Sequence, residues 1–83
     1  MEKKRLETLT PQELCGEYRR ELNRIYGPKR ATKSRVDYEH GRYYVLIAQE
    51  YQDGSIGAGG RMPNCYRKSK LIQMLLNLRA RKL

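Results

Sequence analysis

Arg67, Lys68 and Lys70 stand together with Ser69 between them and no acid nearby in the chain. Three cations at this spacing can converge on one phosphate or carboxylate, but they supply nothing to a bond-breaking step. They fall in the first turns of a helix predicted from about Cys65 to Ala80, which is a poor place for them on stability grounds. A helix N-terminus already carries roughly half a positive charge, and each cation near it costs ~0.3–1 kcal/mol. A bound anion reverses that sign, because open N–H groups and side chains then share it. The wider sequence repeats the theme. Gly54 to Leu83 contains seven Lys or Arg and no Asp or Glu, whereas the first 53 residues hold eleven basic and nine acidic side chains. The formal net charge of +9 is therefore concentrated in the C-terminal third. Segregated positive charge implies a polyanionic partner, and nucleic acid is the commonest polyanion.

Other cations extend the candidate set. Arg61 lies just upstream in a glycine-rich segment, and Lys33 and Arg35, with Lys29 and Arg30, form a second basic cluster able to flank the same ligand. Arg42 opens a predicted strand. Arg61, Arg67, Lys68, Lys70, Lys33, Arg35 and Arg42 are the expected nucleic-acid contacts. Arg79, Arg81 and Lys82 sit at a predicted helix C-terminus, where cations are favoured without any ligand. Tyr38, Tyr43, Tyr44, Tyr51 and Tyr66 can stack on bases if exposed, or pack in the core if not. Successive strand residues face opposite ways, so one of Tyr43 and Tyr44 must point away from the core.

Catalysis finds no support. His40 is the only histidine and falls in a predicted tight turn. No Ser-His-acid set, carboxylate pair or metal-ligand cluster is visible. The run Gly54-Ser-Ile-Gly-Ala-Gly-Gly lacks the lysine spacing of a phosphate loop and the βαβ setting of a dinucleotide fold. The expectation is a non-enzymatic protein with no cofactor and no metal. Cys15 and Cys65 are too few for a disulfide framework and are expected as reduced, partly buried thiols. No apolar run approaches 18 residues and no signal-peptide pattern is present, so a cytoplasmic location is expected.

The elements that must position these residues are few. Residues 1–9 read as a polar end, and 10–83 as one small α+β domain. Thr10, Pro11 and Glu13 form a capping box for a first helix, with Leu9 and Leu14 as its hydrophobic staple. Leu14, Tyr18, Leu22 and Ile25 make its apolar stripe, with Glu13, Glu17 and Glu21 facing outward beside Arg20 and Arg24. Gly27-Pro28 stops it. Lys29 to Ser34 reads as a connector. Strands follow over 35–39 and 42–51, joined at His40-Gly41, and a third over 55–62 after an Asp53-Gly54 turn. Pro63-Asn64 ends that strand. The second helix buries Leu71, Ile72, Met74, Leu75 and Leu78. The predicted order is α-β-β-β-α, a small three-stranded antiparallel sheet with both helices on one face.

This order, with Gly57-Ala58-Gly59 followed by Arg67-Lys68-Ser69-Lys70 and Met74-Leu75-Leu76-Asn77-Leu78, resembles the double-stranded RNA-binding domain over roughly residues 10–81. The resemblance implies that the basic helix entry clamps phosphates and that Gln12, Glu13 and Glu17 approach a minor groove. The family's Gly-Pro-x-His loop is missing here, and only His40-Gly41 stands in its place. A second resemblance is to the integrase arm-type DNA-binding domain, which implies that Arg35, Arg42 and Arg61 read DNA from the sheet. Both imply RNA or DNA as partner, in a monomer or homodimer. The other expectation is an adaptor that docks an acidic surface of a larger protein, with exposed tyrosines as its anchors.

Overall fold

The computed structural model describes residues 2–82. Its elements are α1 (Glu2–Glu7), α2 (Pro11–Tyr26), α3 (Pro28–Lys33), β1 (Arg35–Glu39), β2 (Arg42–Leu46), β3 (Gln49–Glu50), β4 (Ile56–Gly57), β5 (Asn64–Tyr66) and α4 (Lys68–Ala80). The fold is α+β, with a three-stranded antiparallel sheet in the order β1-β2-β5 and a separate β3-β4 hairpin.

α2 begins as its sequence dictates. The Thr10 hydroxyl accepts from the Glu13 N–H at 3.2 Å, and the Glu13 carboxylate accepts from the Thr10 N–H at 2.9 Å. Leu14, Tyr18 and Leu22 are buried, and Ile25 packs partly against them. Val36, Tyr43 and Val45 on the sheet meet Leu71, Ile72, Leu75 and Leu78 of α4 in the same core. Burial at Tyr18 pushes its phenol pKa up to about 12. The β1–β2 turn is a two-residue connection in which His40 (φ 49°) and Gly41 (φ 78°) are both left-handed, the primed geometry that matches strand twist.

Several boundaries differ from the sequence reading. Residues 2–7, read as a polar end, form a helix whose Leu6 is fully buried. The Lys29–Ser34 connector is helical, because Pro28 pre-sets the first-turn φ of a new helix instead of only ending the old one. Gly27, at φ 88°, closes α2 and opens α3 together. The second strand stops at Leu46 rather than Tyr51. Ala48 then turns wholly into the interior, where its N–H donates to the Ser34 hydroxyl at 2.8 Å.

The third strand of the sheet is 64–66, not 55–62. Asn64, Cys65 and Tyr66 bring side chains to β2, while the glycine-rich segment brings almost none. The Asp53-Gly54 turn instead joins β3 to β4, with Gly54 left-handed (φ 86°) and Asp53 holding the Ser55 N–H at 2.9 Å. Gly59 has its own reason: a Cβ there would strike the Tyr51 hydroxyl. α4 starts at Lys68, so Arg67 is its N-cap residue and Cys65 and Tyr66 are strand.

Candidate nucleic-acid interface

Strand register divides the expected contacts into two groups. Arg35 pairs with Leu46 and Glu39 with Arg42, so α3, which runs into β1, lies at the Arg35–Leu46 end of the sheet. Asn64 pairs with Val45 and Tyr66 with Tyr43, so α4 starts at the other end, beside the His40-Gly41 turn. Arg67, Lys68, Lys70 and Arg42 belong to this turn end, and Lys33, Arg35 and Arg61 to the α3 end. A five-residue strand spans roughly 17 Å, so one phosphate cannot serve both groups.

At the turn end the cations are partly spent on the fold. The Lys68 ammonium donates to the Glu7 carbonyl at 2.8 Å and reaches the Leu9 carbonyl at 3.5 Å, closing the C-terminus of α1. Glu7, Glu13 and Glu39 share this end. Arg67 and Lys70 are exposed, with no acidic partner among the described residues.

The sheet face turned away from the helices carries Arg35, Asp37, Glu39, Arg42, Tyr44, Leu46 and Cys65, as the register requires. Arg35 is ion-paired with Asp37, which raises the Arg35 pKa through their hydrogen bond. Arg42 stands opposite Glu39. Two cations against two anions leave this face without net charge. Tyr43 is buried, with the ring of the 41 % exposed Tyr38 tilted against it at 4.8 Å. Tyr44 and Tyr66 are half-buried and Tyr51 is exposed. Cys15 is half-buried and Cys65 exposed, both as free thiols, and burial pushes the Cys15 thiol pKa up.

Glu17 contradicts the outward placement that the helix pattern and the RNA-domain resemblance gave it. It is buried, and its carboxylate holds Arg5 at 2.7 Å, Arg20 at 3.0 Å and Arg79. Arg79 also pairs with Glu2 and approaches Glu21 at 3.9 Å. One carboxylate thus joins α1, α2 and α4. The signal was present in the sequence: a glutamate one position before Tyr18 on an apolar stripe, in a chain with twice as many cations as anions.

The α3 end holds what the sequence did not bring together. Arg30 lies over the Tyr26 ring, 4.5 Å from its centre, and its Nε donates to the Ala48 carbonyl at 2.5 Å. Arg81 donates to the Tyr26 hydroxyl at 3.1 Å. Arg61 donates to the Ile47 carbonyl at 2.8 Å and the Ala58 carbonyl at 3.0 Å. Ile47, Tyr26 and Arg81 line one cleft with Tyr18, Met74, Asn77 and Leu78. Three guanidiniums therefore gather around Tyr26 and the Ile47-Ala48 break. None has a carboxylate within 4.0 Å among the described residues. Lys29 and Lys33 stand exposed on the adjoining α3, equally without an acid.

Arg30 and Arg61 spend part of their donor forks on backbone carbonyls and Arg81 part of its fork on the Tyr26 hydroxyl, and a guanidinium has five donors. The donors left over are of the kind that phosphates and carboxylates accept. Among the described residues, no group of His, Cys, Asp and Glu is placed to hold a metal ion, and no helix is long and apolar enough to cross a membrane. No family model, curated protein or solved structure matches the chain.

Proposed function

We propose that this protein binds nucleic acid through its phosphates, chiefly at the α3 end of the sheet. The observation that carries this reading is the gathering of Arg30, Arg61 and Arg81 with no carboxylate within 4.0 Å among the described residues, flanked by Lys29 and Lys33. Uncompensated cations repel one another and lower stability, and a polyanion relieves that repulsion. Arginine held by backbone carbonyls also loses little freedom on meeting a phosphate. The turn end contributes less, since Lys68 is engaged with backbone carbonyls and Arg42 stands opposite Glu39. A two-residue β1–β2 turn and an internal Glu17 argue against spanning two grooves of an RNA duplex. A neutral open face argues against reading DNA from the sheet.

The test is a fluorescence-anisotropy titration of single-stranded RNA, double-stranded RNA and double-stranded DNA at two salt concentrations. The variant Lys29→Glu/Lys33→Glu/Arg81→Glu runs alongside. Binding that weakens steeply with salt and is lost in the variant supports the reading. Failure to bind any of the three near physiological salt removes it and favours an acidic protein as the partner.

A further inference from the structure

Between α3 and the β3-β4 hairpin lies an open cleft of about 470 Å³, lined by Pro28, Lys29, Thr32, Lys33, Gly54 and Ile56. Its volume falls in the range of small-molecule sites, about 300–1,000 Å³. The lining is mostly carbon, with Pro28 and Ile56 beside two lysines. Long cationic side chains habitually lie along apolar surface with the charge outward. No acid lines the cleft.

We infer that this cleft receives an unpaired base of the bound nucleic acid, with Lys29 and Lys33 on the phosphates to either side. The inference rests on the phosphate-binding reading above. A carbon-lined slot with cations at its lip fits a nucleotide, whose flat base is apolar on its faces and whose charge is confined to the backbone. A paired base stays stacked inside its duplex and offers no face to such a slot. The placement of charge separates this occupant from an acidic peptide. The peptide carries its charge on the side chains that the slot would have to bury, whereas a nucleotide keeps it on the backbone outside. Single-stranded or looped nucleic acid is therefore the preferred class.

The experiment compares three probes by anisotropy on the full chain: a short single-stranded DNA, the same backbone made wholly abasic, and the matched duplex. The expected result is about tenfold tighter binding of the base-bearing strand than of the abasic one, the effect of removing roughly 60 Å² of apolar surface from water. Thr32→Met, at an exposed helix position, fills the cleft without offering an aromatic face and is expected to abolish that preference while keeping affinity for the abasic strand. A thermal melt of the variant confirms that it folds. Equal binding of base-bearing and abasic strands, or preference for the duplex, overturns the inference and leaves the phosphate reading standing. Binding of none overturns both.

Discussion

Both ends of the sheet carry clustered cations and use them differently. At the turn end, Lys68 closes α1, Arg42 faces Glu39, and Glu7 and Glu13 lie nearby. At the α3 end, Arg30, Arg61 and Arg81 gather around one tyrosine and one strand break, with no carboxylate within 4.0 Å of them among the described residues. Net charge along the chain pointed to the first group. Charge after local partners are counted points to the second. An unpaired cation held rigidly by its neighbours says more about a ligand than an unpaired cation alone, because the chain has spent structure on keeping it in place.

The largest expected effect reverses the α3 end. Lys29→Glu/Lys33→Glu/Arg81→Glu should weaken nucleic-acid binding on the order of a hundredfold at low salt, because three attractive contacts become repulsive. The single Lys33→Ala should flatten the plot of log affinity against log salt by about 0.7–0.9. An unchanged slope would mean that Lys33 touches no phosphate.

Next in size is a change that leaves every charge in place. The buried Ser34 hydroxyl accepts the Ala48 N–H and donates to the Arg30 carbonyl at 2.8 Å, so it ties α3 to the break between β2 and β3. Ser34→Ala strands a buried N–H at a cost of about 1–3 kcal/mol. In a domain this small each kcal/mol lowers Tm by about 4–8 °C. Affinity should fall severalfold alongside, as Arg30 loses its fixed position. Loss of stability with full retention of binding would separate the arginine gathering from the ligand site.

What the sequence disclosed follows from how local each signal is. The Thr10–Glu13 box, the Gly27 stop and the His40-Gly41 turn act within a few residues, and each stands where its chemistry requires. The three-stranded antiparallel sheet was legible from the aromatic and branched residues of β2 and from the turn chemistry. The third strand was misplaced because Asn64-Cys65-Tyr66 is too short to announce itself and is chosen by what lies opposite, Tyr43 to Val45. α1 was missed because its one buried residue, Leu6, finds its place only against a neighbour distant in sequence. The arginine gathering was invisible for the same reason. Residues 30, 61 and 81 meet only because β2 breaks at Ile47-Ala48 and α4 runs back along the sheet.

A smaller effect is expected at the turn end. Arg67→Glu/Lys70→Glu places acids in the first turn of α4, which the helix dipole favours by ~0.3–1 kcal/mol each. Stability should rise slightly, and binding should fall by no more than about threefold, the part owed to long-range charge. A loss as large as that of the α3-end variant would invert the comparison and return the site to the start of α4.

The smallest effect concerns how the two helices that begin near this turn end are finished. α2 has a capping box, whereas α4 has Arg67 at its N-cap, with no side-chain cap bond and no acid in its first turn. The Thr10 N–H and then the Thr10 hydroxyl hold the Glu13 carboxyl below the ordinary value of 4.5. A depressed folded pKa stabilises above the unfolded value and is lost as pH falls through the folded one. Melts of the native chain and of Glu13→Gln should therefore run parallel above about pH 5. They should converge as the medium is acidified below it, since glutamine can accept the same N–H without titrating. A constant gap down to the lowest pH would mean that Glu13 caps α2 as a neutral acceptor only. Its charge would then contribute nothing to the end where α4 leaves its own positive terminus uncapped.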